Sequence, residues 1–255
     1  MKRILIITAM ESETLPICKK LCLKQMVCTF GSPATFVTYQ GSILDTEIIL
    51  AWNGSDAVYG VDSIGTQPST LTAFLCIKEF SPDIVLSVGT AGGFTSQGTK
   101  VNDIFISKTP VIYHGRRIDV DHFTAYGIGY YPSISAENIA HLLGVKVGVI
   151  STGDSFAHDD AERQYIRNLG GNAVEMEAAA IAWVCSLYKI PFLALKVIVN
   201  LVDGPQPPHE EFISNLSVGC EQLQNVTAKL TMLLASSDIE RAEGAFNLCL
   251  RRAES

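Results

Sequence analysis

Positive charge is in short supply along this chain. Its 19 lysines and arginines face 26 aspartates and glutamates, a formal net charge of −7. A protein that grips a phosphate backbone carries a basic surplus, so the balance argues against nucleic acid as a partner. The acidity itself needs no more than ordinary solubility to explain it. Charged residues of either sign are modest in number, 18% against 47% hydrophobic, which argues against disorder and leaves material for a sizeable core. No apolar run reaches the roughly 18–20 residues that a membrane-spanning helix needs, so no membrane partner is expected. The basic-then-apolar start, Met1 to Met10, is too short for a signal peptide and meets Glu11 and Glu13 at once, so it reads as a first buried strand. No CxxC pair occurs among Cys18, Cys22, Cys28, Cys76, Cys185, Cys220 and Cys249. An odd set of thiols, mostly in apolar runs, fits a reduced cytoplasmic protein that packs them as small hydrophobes. Cys18 and Cys22 can share a helix face, but with no His or Cys partner beside them no metal site is expected. Neither a GxGxxG fingerprint nor a phosphate-binding loop ending in Gly-Lys-Ser/Thr is found.

What is present is alternation. Strand-like runs recur at Ile4–Ala9, Thr35–Tyr39, Glu47–Trp52, Asp83–Val88, Asp103–Ile106, Lys146–Ile150 and Phe192–Val199. Several are near-continuous and β-branched, as suits strands buried on both faces of a sheet. Helical stretches are expected at Asp62–Phe80, at alanine-rich Glu175–Tyr188, which stops before Ile190-Pro191, and at Asn215–Ala235. The pattern predicts an α/β fold around a parallel or mixed sheet. With 255 residues and no linker, repeat or low-complexity tract, one domain is expected, with a polar tail after Ser236.

Polar or glycine residues follow five of the strand-like runs. Ser87 to Phe94 carries Gly89-Thr90-Ala91-Gly92-Gly93, either a plain tight turn or a place where backbone N–H groups approach a ligand. Val174-Glu175-Met176-Glu177 opens the alanine-rich helix. Its carboxylates suit a helix N-terminus electrostatically, or accept hydrogen bonds from vicinal sugar hydroxyls. Ala9-Met10-Glu11-Ser12-Glu13 ends the first strand in carboxylates. Ser151 to Ala157 offers an aromatic, Phe156, at a turn. Lys196 to Gly204 ends a strand on Asn200. In open α/β sheets ligands sit at strand carboxyl ends, so these five ends are expected at one edge.

Taken together, in this order, the five segments resemble the nucleoside phosphorylase/nucleosidase superfamily, and most closely its methylthioadenosine/S-adenosylhomocysteine nucleosidases. The resemblance covers about Lys2 to Val226. It leans toward the plant branch through Gly60-Val61-Asp62-Ser63-Ile64-Gly65-Thr66, His114-Gly115-Arg116-Arg117-Ile118 and Leu201-Val202-Asp203-Gly204 with Glu210-Glu211-Phe212. It implies a single nucleosidase-like α/β domain over residues 1–236, a twisted mixed sheet flanked by helices, with residues 237–255 as a tail or frayed helix. It also implies a homodimer, a purine nucleoside as small-molecule partner, no cofactor and no metal. The implied reaction is hydrolysis of the bond between C1′ of a 5′-thio-substituted ribose and N9 of adenine.

The resemblance also assigns roles. Glu13 would position or deprotonate water, and Glu177 would hold the ribose hydroxyls, with Glu175 and Met176 beside it. Thr90, Ala91 and Gly92 would lie near the sugar and the water. Phe156 would stack on the purine while the Ala157 backbone reads its edge. Met10 and Phe212 would line an apolar 5′-thio pocket. Phosphorylases of the superfamily hold phosphate with arginine; here Ser87-Val88 precede the glycine segment and Asn53-Gly54-Ser55-Asp56 has no arginine. Only Arg116 and Arg117 remain, where plant nucleosidases also carry them, so water is the expected acceptor.

Asn200 departs from the pattern, for the family keeps its general-acid aspartate there. An amide can donate to purine N7 and accept from the adenine amino group, but it gives up no proton at neutral pH. Three readings stay open: an Asp-to-Asn variant with impaired hydrolysis, a purine-nucleoside-binding protein without activity, or a nucleosidase for 6-oxopurines of the futalosine hydrolase kind. Asp203, three residues on, reads as a turn-capping carboxylate.

Overall fold

The computed structural model describes residues 1–26, 35–118 and 120–236. The chain runs β1 (Lys2–Thr8), α1 (Glu11–Lys20), β2 (Lys24–Gln25), β3 (Val37–Ile43), β4 (Thr46–Trp52), α2 (Thr66–Phe80), β5 (Ile84–Gly93), β6 (Ile104–Ser107), β7 (Val111–Tyr113), α3 (Thr124–Gly127), β8 (Gly129–Tyr131), α4 (Glu137–Leu143), β9 (Lys146–Thr152), α5 (Asp160–Asn168), β10 (Gly171–Glu175), α6 (Ala178–Tyr188), β11 (Phe192–Leu201) and α7 (Pro208–Ser236). The expected tail at 237–255, and with it Cys249, lies outside the described residues, as does Cys28.

The strands form one mixed sheet in the order β2-β3-β4-β1-β5-β11-β6-β9-β7-β8. β10 pairs antiparallel with β5 and parallel with β9, so that β5, β11, β6, β9 and β10 close on themselves as a small barrel. Period-two alternation explains the near-continuous apolar runs. On β1, Ile4 and Ile6 face a core shared with Ile17 of α1 and Leu223 and Leu230 of α7. Leu5 and Ile7 face the opposite core with Ala73 and Ile77 of α2 and Ala179 and Ile181 of α6. Strands covered on both faces have no polar side to alternate toward.

Several boundaries differ from the sequence reading, each for a local reason. α2 starts at Thr66 rather than Asp62, because Gly65 sits at φ +100°, outside helical geometry. α6 starts at Ala178 because Glu175 still belongs to a strand, paired with Thr152 of β9. α7 begins two turns early with Pro208 at its first position, where the missing N–H is no loss. The polar sequence after Met10, interrupted by Pro16, is a helix and not a strand end. The segment Gly89–Gly93 is no tight turn: β5 continues through it, held between Asn200 and Leu201 of β11 and Val174 and Ala173 of β10. Four of the cysteines, Cys18, Cys76, Cys185 and Cys220, are buried free thiols as expected, whereas Cys22 is exposed.

Leu195 lies fully buried on the central strand β11. Leu195→Ala is expected to cost about 2–5 kcal/mol of stability, read as a lower urea midpoint at unchanged slope.

Candidate functional site

Strand ends from both halves of the sheet meet around a cavity lined by apolar side chains and a few buried polar groups, the make-up usual for small-molecule sites. From the junction of β1 and α1 come Met10 and Glu13, from β5 Thr90, Ala91 and Gly92, and from the end of β10 and the residues just after it Glu175, Met176 and Glu177. β11 contributes Asn200, the turn after β9 Phe156, and α7 Phe212. Of the residues named from sequence, only Ala157 is left out; it is exposed, between the lining residues Phe156 and His158.

Glu13 is placed by helix chemistry. It is the third residue of α1 and reaches back to accept from the Met10 N–H at 3.1 Å, the acceptor half of a capping box. The same carboxylate accepts from Thr90 N at 2.7 Å, Thr90 Oγ1 at 3.0 Å and Ala9 N at 3.3 Å. A Cβ on Gly89 would lie 3.0 Å from Glu13 Oε1, so a glycine there makes room for the carboxylate. Burial nonetheless pushes Glu13 above the usual carboxylate range, against the pull of Lys196 and these hydrogen bonds.

Glu177 stands at the N-cap position of α6 without bonding that helix's own N–H groups; its carboxylate accepts from Gly65 N at 2.9 Å instead, tying α6 to the start of α2. Burial raises it to about 7; Lys196 opposes the rise, and the neighbouring carboxylates Glu175 and Glu13 add to it. Glu175 is spent on structure. It pairs with Lys196 Nζ at 2.8 Å and accepts from Glu177 N, Ala178 N and Thr152 Oγ1.

Lys196 was missed by sequence reasoning and organises the site. It is 1% exposed on β11. Burial alone would push the ammonium down, but Glu175, Glu177 and Glu13 together hold it above the ordinary lysine value. The signal was available: a lysine inside the otherwise apolar run Phe192–Val199 is seldom buried without partners. Ile64, Val202 and His158 also line the cavity and were not foreseen. His114 lies behind His158, with ring centroids 6.0 Å apart. Burial pushes His114 down to about 4, with His158 and Arg117 adding to the effect.

Asn200 is 2% exposed beside Gly92, where a Cβ would come within 3.2 Å of its Nδ2. Asp203 is outside the lining and accepts from Thr95 N at 2.6 Å and Ser96 Oγ at 2.6 Å, capping the turn after β5. Although burial opposes it, those bonds hold Asp203 below the usual carboxylate range, in its ionised form. At the cavity rim Phe156 meets Phe212 edge to face, 5.5 Å between centroids. Among the described residues no arginine lines the cavity. Arg116 packs on Tyr126 and donates to its carbonyl, and Arg117 lies over Tyr165.

The sequence profile of the phosphorylase superfamily matches residues 3–231. The 5′-methylthioadenosine nucleosidase of Arabidopsis thaliana is 36% identical over 228 residues, 89% of this chain and 85% of that one. A solved structure of an Arabidopsis thaliana 5′-methylthioadenosine nucleosidase in apo form superposes with a TM-score of 0.90 at 34% identity, covering 94% of this chain and 98% of that one. A Helicobacter pylori nucleosidase variant with asparagine in place of an aspartate, solved with 5′-methylthioadenosine in its active site, superposes with a TM-score of 0.74 at 26% identity over 91% of this chain and 98% of that one. Fold, cavity and sequence agree: the chain belongs to the phosphorylase superfamily and, within it, to the methylthioadenosine/S-adenosylhomocysteine nucleosidases.

Proposed function

We propose that this protein hydrolyses the N-glycosidic bond of 5′-methylthioadenosine, releasing adenine and the 5-thioribose, with S-adenosylhomocysteine as a second substrate of the same bond type. The observation that carries the reading is a cavity in which two buried carboxylates, Glu13 and Glu177, face space bordered by Met10, Phe156 and Phe212, with no arginine among the described residues that line it. Cleavage passes through a cation-like ribosyl group, which buried anions stabilise. Glu177 holds the ribose hydroxyls. Glu13 orients water and takes its proton as oxygen bonds to C1′ and the C1′–N9 pair leaves with the purine, which then takes a proton from solvent to become neutral adenine. Without arginine the site lacks the bidentate grip that phosphate as an acceptor would need. Adenine release from 5′-methylthioadenosine, followed by ultraviolet absorbance, tests the reading directly.

Asn200 supplies a hydrogen bond but no proton to the leaving purine, so turnover is limited while binding is kept. The Helicobacter pylori variant that holds 5′-methylthioadenosine after losing an aspartate supports binding without that carboxylate. Asp203 does not substitute, because its carboxylate is committed to Thr95 and Ser96.

A homodimer in the cytoplasm, serving methionine salvage, completes the proposal. Phe123 and Tyr126 are 52% and 60% exposed and stack edge to face, an apolar surface suited to a second copy.

Glu177→Ala is expected to lower kcat/KM at least about 10²-fold, the loss of roughly 3 kcal/mol of charge stabilisation. A carboxylate raised to about 7 is half protonated at neutrality, so kcat/KM of the unaltered chain should rise with pH through that value. A profile flat from pH 5.5 to 8.5 would contradict the role given to Glu177. Asn200→Asp should speed adenine release by about 10²-fold, within the span of general acid catalysis, with a smaller change in Kd. Faster cleavage of inosine than of 5′-methylthioadenosine by the unaltered chain would instead favour a 6-oxopurine substrate. Light scattering at micromolar concentration should give the mass of two chains.

A further inference from the structure

Behind the Phe156 side of the cavity lies a cluster that the proposed hydrolysis does not use. His114, His158 and Glu162 each present one ligand atom, and these atoms lie within 4.8 Å of one another. His114 follows β7, His158 sits in the turn after β9, and Glu162 belongs to the first turn of α5. His158 and Glu162, four residues apart at the entry to α5, therefore meet His114 from a segment more than forty residues earlier.

One imidazole is plainly unsatisfied there. His114 Nε2 is buried with no hydrogen-bond partner, while His158 has at most the Phe156 backbone as a weak partner and keeps its other ring nitrogen free. Buried polar atoms are nearly always paired with protein, ordered water or an ion, and an orphaned group calls for an explanation. His114 also carries the outer-shell support usual for a metal-binding histidine: its Nδ1 lies 2.8 Å from Ser151 Oγ. With Nδ1 donating to that hydroxyl, Nε2 keeps its lone pair for an ion. Gly153 keeps the space beside it clear, since a Cβ at 153 would come within 2.4 Å of Nε2.

Two imidazoles and one carboxylate are the donor set of a zinc site with an open fourth position. We propose that His114, His158 and Glu162 bind a divalent transition-metal ion, zinc(II) fitting best, in the wall of the nucleoside cavity. Donors at ~2.0–2.1 Å from a tetrahedral ion stand roughly 3.4 Å apart, so the cluster closes by small rotations of His158 and Glu162, both only partly buried. Two cations lie nearby. Arg117, 3.7 Å from Glu162, is 55% exposed and can turn to solvent. Arg163 is held by the carbonyls of His158 and Val202 and pairs with Asp160. Because His158 also lines the cavity, an ion here anchors the turn that carries Phe156.

The test is a zinc titration of the chelator-stripped full-length protein against a chromophoric zinc chelator, with thiols blocked by N-ethylmaleimide. One equivalent per chain at about micromolar Kd or tighter is expected. It should persist in His209→Ala, which removes a well-exposed imidazole, and weaken at least about tenfold in His114→Ala and in Glu162→Gln. His114 is buried, so circular dichroism must first show that its variant folds; Glu162→Gln, on a partly exposed helix position, decides the matter otherwise. No saturable binding by the unaltered chain, or undiminished binding by folded Glu162→Gln, would overturn the assignment and leave the imidazoles bridged by water.

Discussion

The ammonium of Lys196 sits on the central strand with almost no access to water, and three carboxylates are arranged around it. Glu175 makes the direct pair at 2.8 Å, while Glu177 and Glu13 are within electrostatic reach. Moving an unpaired charge into such an interior is prohibitively costly, and three carboxylates without a cation would repel one another as well. The cluster is viable only as a set. Each carboxylate has fixed donors too: Thr90 and the first turn of α1 for Glu13, Gly65 for Glu177, and the start of α6 for Glu175. One cation therefore ties the ends of β5, β10 and β11 to three helix starts.

The same arrangement sets the electrostatics of the proposed reaction. One ammonium against three carboxylates leaves the cavity with excess negative charge, which suits a transition state with a positive sugar. It also raises the affinity of Glu13 and Glu177 for protons, because burial and like charge both disfavour the ionised form. An anionic site without arginine is poorly suited to phosphate and well suited to neutral water. Close approach is handled by small residues: Gly89 lets Glu13 come against β5, and Gly92 lets Asn200 and Val202 do so from β11.

Asn200 and Asp203 illustrate why proximity in sequence does not transfer a role. They are three residues apart, yet the amide lies in the cavity wall at the end of β11. The carboxylate is turned to the backbone after β5, where several donors stabilise its charged form. A general acid needs a proton to give and a path to the substrate; Asp203 has neither.

Much of the fold was legible from local pattern. Continuous β-branched runs mark strands covered on both faces, because no water-facing side selects polar residues. Glu13, Glu177, Phe156 and Asn200 could be named because each follows such a run within a segment resembling known nucleosidases. The helix α1 was obscured by Pro16 and by polar first-turn residues, α5 by having only Ile166 buried, and β7 and β8 by being three residues each. What the sequence by itself determined was the alternation of the main buried strands with α2, α6 and α7 and the residue types at strand ends, since both follow from short-range periodicity and turn chemistry. Tertiary structure alone decided that β10 bridges β5 and β9, that Lys196 pairs with Glu175 within reach of Glu177 and Glu13, and that His114 meets His158 and Glu162. Except for His158 and Glu162, those contacts join residues far apart along the chain, and their energies depend on burial and distance, which exist only once the sheet has closed.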